Sequence, residues 1–334
     1  MTKIRWGLIG ASTIARQNMV AAITDHADGI ITAVMSSNEA RGKKFATEFA
    51  IPQSFTSVDQ MLRDAPIDAV YISTTNELHC PQTLAAAAAK KHVLCEKPLA
   101  LSVADARLMV AACHQAKVIF GTNHHLRHAE SHAKIRELVQ NGAIGQPLFA
   151  RVNHATYLPE NRQGWRIDRP DAGGGVILDI TVHDVDTLRY VLGAEPIAAV
   201  GMSQGGTMTK NNLPDGVMAA LEFDNGVLAQ IHSAFTTKYA GNGLEVHGTK
   251  GSVIGRNVMS QRSVGEVFLH TERGEEAFAV RHDNLYGKIV RLFHQAIKGA
   301  ANFTASGEDG LRALAISLAI DKACRSGQRV AIDG

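Results

Sequence analysis

Short apolar runs alternate with longer segments of helical periodicity through the first 120 residues of the chain. Each intervening segment is long enough to form the crossover helix of a right-handed βαβ unit. This alternation predicts a parallel α/β sheet. We assign strands to residues 4–9, 30–35, 69–73, 92–95 and 118–121, and helices to residues 14–24, 41–49, 81–90 and 103–116.

The pattern changes after Gly121. Alternating apolar and polar positions, separated by turn signals such as Asp224-Asn225-Gly226, predict an α+β region with a mostly antiparallel open sheet. We assign its strands to residues 198–203, 216–223, 227–235, 244–247 and 251–256, and its helices to residues 129–141, 176–192 and 307–326. A loop is expected from residue 142 to 175. The acidic Glu308 and Asp309 suit the positive N-terminus of the last helix.

Composition predicts a folded protein and argues against several functional classes. Hydrophobic residues make up 45% of the chain, charged residues 20% and aromatic residues 5%, which argues against disorder and against a base-stacking surface. The net charge of +2 is spread along the chain, so we expect neither a nucleic-acid nor a membrane partner. The apolar run at residues 4–9 is too short for a signal peptide or a membrane span, and a cytoplasmic protein is expected.

The loop after the first predicted strand reads Gly10-Ala11-Ser12-Thr13-Ile14-Ala15. It matches the dinucleotide fingerprint G-x-G-x-x-G/A at its first and last positions, with Ser12 in place of the middle glycine. Backbone N–H groups and the positive end of a helix at this point suit a pyrophosphate. We expect this loop to bind a cofactor through Gly10, Ser12, Thr13 and Ile14. An ordinary tight β–α turn is the alternative.

The end of the second predicted strand favours NADP over NAD. NAD enzymes normally carry an acidic residue there, which binds the ribose 2′-hydroxyl. Here Met35 is followed by Ser36, Ser37 and Asn38, and then by Arg41. Serine hydroxyls and a guanidinium can bind a 2′-phosphate. The alternative is that Arg41 is a solvated arginine in the first turn of a helix.

These patterns predict two domains, which a chain of 334 residues is long enough to form. Residues 1–122 are expected to form an NADP-binding α/β Rossmann domain. Residues 123–334 are expected to form an α+β domain for substrate binding. Whether helix 307–326 packs back on the Rossmann domain is left open.

Two further polar segments follow strands of the first domain, where a Rossmann fold presents its chemistry. They are Ser73-Thr74-Thr75-Asn76-Glu77-Leu78-His79 and Glu96-Lys97-Pro98. The second segment, together with Gly173-Gly174-Gly175 leading to Asp179 and His183, is similar to motifs of the Gfo/Idh/MocA oxidoreductase family. The chain resembles this family over nearly its whole length. Two more segments resemble a bacterial branch of this family: Asn123-His124-His125-Leu126-Arg127 and Gly164-Trp165-Arg166.

The resemblance implies an NADPH-dependent reductase of a cyclic keto-sugar, with a small-molecule sugar as its substrate. His124 or His125 is a candidate for the sugar pocket. Further contacts to the cofactor NADPH/NADP are implied at Ser73, Thr74, Thr75, Asn76, His79, Glu96, Lys97, Asn123, Trp165, Arg166 and Tyr286. For Trp165, a core position is the alternative.

The resemblance also implies a catalytic group made of Lys97, Asp179 and His183, and the chemistry of these residues suits the role. Ketone reduction needs a hydride donor and a group that protonates the developing alkoxide, as a partly buried lysine can do. Asp179 and His183 are four residues apart in a predicted helix and project from one face. Whether Lys97 or His183 gives the proton is left open. Pro98 fixes the turn, for which a cis peptide bond is one solution.

Two other functions stay open at this point. One is a sugar or cyclitol dehydrogenase that works oxidatively, although the missing strand-end acid argues against it. The other is a non-catalytic NADP-binding sensor, although the acid/base residues are all present. A homo-oligomer through the open sheet is an option, as is a monomer.

Several other polar residues are expected to lie outside the site. Asp184 and Asp186 differ in helical phase from Asp179 and His183, and we expect them to be solvated or to cap the helix. We expect no metal, because the four-residue spacing of His124, His128 and His132 has no accompanying HExxH motif or cysteine. The cysteines show no paired spacing and are expected to be structural: Cys80, Cys95, Cys113 and Cys324.

Overall fold

The computed structural model describes residues 3–332, which form two compact units. Unit 1 comprises the residues up to His124 together with Asn284–Leu311. Unit 2 comprises His125–Asp283 together with the residues from Arg312 onward. The division predicted after residue 122 lies close to the first boundary, but residues 284–311 belong to unit 1 and not to the second domain.

The core of unit 1 is a parallel sheet. Its strands are β1 (Arg5–Ile9), β2 (Ile30–Met35), β3 (Gln53–Phe55), β4 (Ala69–Ile72), β5 (His92–Cys95) and β6 (Phe120–Thr122). Across the described residues their order is β3-β2-β1-β4-β5-β6. The parallel Rossmann sheet is as predicted, whereas the sequence left the strand order open. All of β4 and all but the first residue of β1 are buried, as expected of strands covered on both faces. The strand order reverses between β1 and β4, where such sheets bind ligands.

Unit 2 contains a mixed sheet that is mostly antiparallel, as predicted. Its strands are β7 (Pro147–Ala155), β8 (Pro196–Gly205), β9 (Pro214–Phe223), β10 (Leu228–Ala234), β11 (Gly243–Gly248), β12 (Gly251–Arg256), β13 (Glu266–Thr271), β14 (Gly274–Phe278) and β15 (Val330–Ala331). Within the described part of the chain the order is β14-β13-β12-β11-β7-β10-β9-β8-β15, and β7 and β10 run parallel. One sheet face packs on helices, while the other exposes apolar side chains such as Met202 and Phe149.

Capping side chains mark the start of several α-helices. Side chains of Asn38, Ser57 and Ser102 accept N–H groups of the helices that follow them. No helix within residues 3–332 is both long and apolar enough to span a bilayer. The helices are α1 (Val20–Thr24), α2 (Glu39–Glu48), α3 (Val58–Asp64), α4 (His79–Ala88), α5 (Val103–Ala116), α6 (Glu130–Gln140), α7 (Trp165–Asp168), α8 (Val182–Leu192), α9 (Leu285–Ile297) and α10 (Gly307–Ser326).

Two of the predicted helices start with a π-helical turn. Ala15–Met19 precedes α1, and Ile177–Thr181 precedes α8. A π-turn makes i→i+5 hydrogen bonds and is commonly found at functional sites. The second turn contains Asp179, so the helix carrying Asp179 and His183 is not regular through that segment.

The structure corrects the predicted loop from 142 to 175. This segment contains β7, which pairs with β10 and β11 near the middle of the sheet. The alternation in β7 is broken by the exposed apolar Phe149 on the open face and by the buried polar His154 on the covered face. Besides β7, the elements for which the prediction assigned no strand or helix are β3, α3, α7, β13, β14, α9 and β15.

Helix α9 explains why residues 284–311 belong to unit 1. It contacts α1, and its Phe293 ring lies 5.5 Å from the Trp6 ring. The indole N–H of Trp6 also donates to Nε2 of His294 at 2.9 Å. Helix α10 begins in unit 1 and continues in unit 2, where Ile316 and Ile320 join the apolar core, so it does not return as a whole to the Rossmann domain.

Candidate active site

The fingerprint loop makes a tight turn after β1. Gly10 has a φ of +112°, and its N–H donates to the carbonyl of Met35 at 2.9 Å. A Cβ on Gly10 would lie 3.1 Å from the carbonyl group of Ser73, so the approach of β1 to β4 favours glycine. The N–H groups at the start of the next helix fit a pyrophosphate.

Ser12 closes this loop with its side chain. Its hydroxyl accepts the N–H of Ala15 at 3.1 Å and shares a 2.8 Å hydrogen bond with the hydroxyl of Ser73. The serine in place of the middle glycine therefore links the loop to the end of β4. The neighbouring Thr13 is exposed and Ile14 is half-buried.

The end of β2 presents hydroxyl groups together with a guanidinium. Arg41 lies in the first turn of α2, and its Nε donates to the hydroxyl of the buried Ser36 at 3.1 Å. Ser37 and the rest of Arg41 are exposed. The side chain of Asn38 caps α2 by accepting the N–H of Arg41 at 2.9 Å. This arrangement suits an anionic group next to β2.

The segment after β4 is fixed by His79. This side chain is fully buried, with Nδ1 2.8 Å from the carbonyl of Pro98 and Nε2 3.3 Å from that of Thr74. Burial lowers the pKa of His79. Both ring nitrogens face backbone carbonyls, which argues against the predicted contact with a cofactor. The ring instead links the loop after β4 to the loop after β5. The other predicted contacts here differ in exposure: buried Ser73 and Asn76, and half-buried Thr74 and Thr75.

Glu96 directly precedes Lys97, and its carboxylate accepts several hydrogen bonds. It accepts the hydroxyl of Tyr71 on β4, and Nδ2 of Asn123, which follows β6, at 2.5 Å. The backbone of Lys97 also hydrogen-bonds to it. Burial raises the pKa of Glu96, and these donors oppose that rise. Glu96 therefore ties together the carboxyl ends of β4, β5 and β6.

Lys97 is half-buried in the loop after β5, and the Lys97–Pro98 peptide bond is cis. Nearby, Oδ1 of Asn123 is buried and has no hydrogen-bond partner within residues 3–332, so it can accept from a ligand. Burial raises the pKa of Tyr71, and nearby Glu96 and Tyr286 add to the rise, so Tyr286 in the first turn of α9 lies in the same region. These features fit a polar ligand such as a nicotinamide nucleotide beside Lys97.

In unit 2, Asp179 lies in the π-turn before α8 and is engaged by an arginine. Nε of Arg166 donates to a carboxylate oxygen of Asp179 at 3.2 Å. The guanidinium also lies over the Trp165 ring, 4.5 Å from its centroid. Trp165 is half-buried, which argues against a core position. Trp165 and Arg166 thus form a stacked pair that orients the Asp179 carboxylate.

His183 is nearly buried in the first turn of α8. Its ring packs edge-on against the ring of His125, with centroids 5.0 Å apart. His124 belongs to unit 1, whereas His125 belongs to unit 2. His125, one of the two histidines considered for the sugar pocket, thus contacts a predicted catalytic residue within its own unit.

The expected solvated or capping roles of Asp184 and Asp186 are wrong. Both carboxylates are buried, because α8 packs its polar face against strands and a neighbouring segment and not against water. Asp184 accepts hydrogen bonds from the imidazole of His154 at 2.7 Å and the hydroxyl of Ser233 at 2.6 Å. Asp186 accepts Nε of the buried Arg127 at 2.7 Å. Buried carboxylates need such partners.

Sequence reasoning missed Tyr71 and Ser233, although each left a signal. Tyr71 is the one hydroxyl-bearing residue of the buried strand Ala69–Ile72. Ser233 occupies a buried position in β10 that continues the inward-facing series of Ala229 and Ile231. A polar residue at an inward position needs a partner, and that requirement points to a polar network.

The cysteines and histidines supply no evidence for redox or metal chemistry. All four thiols are free, and burial raises the pKa of Cys113 to about 12. Burial also lowers the pKa of His132 to about 4. Among residues 3–332, no group of three or more His, Cys, Asp or Glu side chains is arranged to hold a metal ion.

Comparison with known proteins agrees with this architecture. Residues 4–124 match the model of the oxidoreductase family with an NAD-binding Rossmann fold, and residues 132–254 match the Gfo/Idh/MocA C-terminal domain. A solved structure of aldose-aldose oxidoreductase from Caulobacter crescentus, complexed with glycerol, superposes with a TM-score of 0.91 at 26% identity. That match covers 99% of this chain and 100% of the other.

Two curated relatives cover most of the sequence. The 1,5-anhydro-D-fructose reductase of Ensifer adhaerens is 53% identical over 329 residues, which is 98% of each chain. The myo-inositol 2-dehydrogenase of Thermotoga maritima is 28% identical and covers 92% of each chain. The family matches span both units, and the chain therefore belongs to the Gfo/Idh/MocA family of oxidoreductases.

Proposed function

We propose that this protein uses NADPH to reduce a cyclic keto-sugar, converting 1,5-anhydro-D-fructose to 1,5-anhydro-D-mannitol. The observation that carries the proposal is the 53% identity, over 98% of both chains, with a 1,5-anhydro-D-fructose reductase. The presence of Lys97, Asp179 and His183 supports it, because carbonyl reduction needs groups that bind the substrate and protonate its oxygen.

The preference for NADPH rests on the end of β2. Ser36, Ser37 and Arg41 would hold the 2′-phosphate, since a guanidinium and hydroxyls give charge-assisted hydrogen bonds to a phosphate. Gly10 and the helix start that follows it would hold the pyrophosphate. When bound, NADPH supplies the hydride that reduces the carbonyl carbon.

Lys97 is one of two candidate proton donors. Its Nζ donates a hydrogen bond to the carbonyl oxygen of the substrate and can transfer a proton as negative charge develops there. Glu96 holds the backbone before Lys97 through its bonds to Tyr71 and Asn123. This arrangement limits the movement of Lys97 and keeps its side chain in the required direction.

Asp179 and His183 are the candidates in unit 2. Arg166 keeps the Asp179 carboxylate oriented, and a carboxylate oxygen is a good acceptor for the hydroxyl groups of a sugar. The His183 imidazole is the alternative proton donor, and its packing against His125 restricts the ring. Binding of hydroxyl groups by Asp179 would favour a polyhydroxylated ketone over a simple one.

The test is the loss of reduced-nicotinamide absorbance with 1,5-anhydro-D-fructose, measured with NADPH and with NADH. Inositol and glucose are run in the oxidative direction, because the inositol dehydrogenase relative makes that activity the second candidate. We expect rapid turnover with NADPH and the keto-sugar alone. Turnover only in the oxidative direction would refute the proposal, and tight NADPH binding without any turnover would favour a sensor.

The proposal includes self-association through the exposed face of the unit 2 sheet. This face has a groove of about 780 Å³ lined by residues that include Val200, Met202 and Met218. Met202 is 79% exposed and Met218 is 55% exposed, and apolar patches of this kind commonly mark interfaces. Light scattering after size-exclusion chromatography tests the idea: a dimer or larger species that Met202→Glu converts to a monomer supports it, and a monomeric wild type refutes it.

A further inference from the structure

We infer that Thr181, Ser233 and Asp184 form a positioning network that holds the π-turn and places His183 for the reaction; this inference rests on the proposed function. The hydroxyl of Thr181 donates to the hydroxyl of Ser233 at 3.0 Å. The hydroxyl of Ser233 in turn donates to Asp184 at 2.6 Å. The imidazole of His154 on β7 bonds to the other carboxylate oxygen at 2.7 Å. The network thus connects the start of α8 to β10 and β7.

The direction of these hydrogen bonds follows from the carboxylate. An ionised carboxylate can only accept, so Ser233 must use its single proton toward Asp184. The oxygen of Ser233 is then free to accept the proton of Thr181. Thr181, Ser233 and Asp184 are each fully buried, so water does not compete for these bonds and each lost donor leaves a buried group unsatisfied.

The network brackets His183 along the chain. Thr181 lies two residues before His183 and is the last residue of the π-turn Ile177–Thr181, while Asp184 comes directly after His183. Threonine in a helix often bonds to the carbonyl four residues earlier, but here its hydroxyl reaches across to a strand. The junction between the π-turn and α8 is therefore fixed to the sheet on both sides of His183.

A π-turn needs this kind of support more than a regular helix does. Its i→i+5 geometry is rare and is retained where surrounding contacts favour it. Asp179 lies in the middle of the turn, so a relaxation of the turn toward regular helix would rotate Asp179 relative to His183. Small displacements of this kind reduce the rate of a reaction that depends on alignment.

The chain offers a matched pair of substitutions for the test. Thr181→Val removes the donor to Ser233 and keeps the side-chain shape. Thr187→Val is the control, because Thr187 is also fully buried, lies on α8, and has a hydroxyl with no hydrogen-bond partner within the described residues. Thr181→Ser restores the hydroxyl and serves as the conservative rescue.

Kinetics and amide hydrogen exchange are measured on the same preparations. For Thr181→Val we expect kcat with the keto-sugar to fall about tenfold, because Asp179 and His183 are less well aligned, with KM for NADPH unchanged. Amides of residues 177–183 are expected to exchange about tenfold faster. Thr187→Val should behave as wild type, and Thr181→Ser should recover most of kcat and of the exchange protection.

A double variant tests the order of the chain. Ser233→Ala removes the partner of Thr181 and one donor to Asp184, so adding Thr181→Val should cause no further loss of kcat. Equal losses in Thr181→Val and Thr187→Val, or unchanged exchange at residues 177–183 in Thr181→Val, would overturn the inference. If wild type does not reduce the keto-sugar, the proposed function fails, and the exchange data alone then decide whether the network holds the turn.

Discussion

Glu96 in unit 1 and Asp184 in unit 2 occupy comparable positions beside the two candidate proton donors. Glu96 directly precedes Lys97, and Asp184 directly follows His183. Each carboxylate accepts hydrogen bonds from two other elements of its own unit. The difference lies in what is being fixed. Glu96 joins the ends of parallel strands, whereas Asp184 fastens a π-turn to a sheet.

This difference teaches how the two donors gain their rigidity. Strand ends in a parallel sheet are already held by backbone hydrogen bonds, so the Glu96 bonds refine a position that the fold largely sets. The turn before α8 has a less stable backbone geometry and depends more on side-chain contacts. We therefore expect changes around Asp184 to affect local mobility, and changes around Glu96 to affect ionisation.

The largest effect is expected from removing the donors themselves. Lys97→Ala and His183→Ala are compared, and the true proton donor should lose about 10²- to 10⁴-fold in kcat, the usual contribution of general acid catalysis. Affinity for NADPH, measured by fluorescence, should be retained in both. The exposed Lys322→Ala is the control. Normal turnover in both variants would show that neither Lys97 nor His183 is the proton donor. Glu96 and Asp184 would then not lie beside catalytic residues.

Acid should weaken unit 2 through His132. Burial lowers its pKa to about 4, so the neutral form is favoured in the folded state. The resulting stability is present above about pH 6.5 and is lost as the pH falls toward 4, by about 3 kcal/mol in total. Urea unfolding between pH 7 and 4.5 should show a smaller loss of stability for His132→Gln than for wild type. The exposed His282→Gln should match wild type, and identical slopes for all three would contradict the assignment.

Arg41→Ala probes a feature of unit 1 that lies apart from Glu96. Losing a charge-assisted hydrogen bond to a 2′-phosphate should weaken NADPH binding about 10- to 100-fold and leave NADH binding nearly unchanged. Dissociation constants for the two nucleotides, from titration of cofactor fluorescence, give the answer. Arg107→Ala, at an exposed position on α5, is the control. Equal losses for both nucleotides would mean that Arg41 does not select the phosphate.

The smallest effect is expected from Tyr71→Phe. Removing this donor destabilises the charged form of Glu96 and so raises its pKa further. The acid limb of the kcat profile should move to higher pH, with a loss of about tenfold near its midpoint. Tyr239→Phe, at a 97% exposed position, is the control. A profile that coincides with wild type would show that Glu96 does not influence the donor through its charge.

Much of the fold followed from the sequence where burial is uniform or capping is explicit. The strands at 30–35, 92–95 and 251–256 and the helices at 103–116 and 307–326 were predicted with the bounds that the structure has. Strand β7 was missed because the exposed Phe149 and the buried His154 interrupt its alternation of apolar and polar positions. Residues 284–311 belong to unit 1 because they pack against Trp6, and a local sequence pattern cannot predict such a contact.

The candidate site was harder to predict than the fold. Residue type and spacing were enough to predict cofactor-binding roles for Gly10, Ser36 and Arg41. By contrast, the sequence predicted a solvated or capping role for Asp184 from its helical phase. Helical phase cannot show that this face of α8 packs on the strand that carries Ser233. Tyr71 lies 25 positions before Glu96, and only the strand order brings the two together.

The exposed methionines of the unit 2 sheet carry a practical consequence. Thioethers react with mild peroxide to form sulfoxides, and the reaction depends on access. Met202 and Met218 should be oxidised before the fully buried Met19 and Met61. Mass spectrometry can follow their oxidation at increasing protein concentration. Slower oxidation at high concentration would show that another surface covers this face of the sheet.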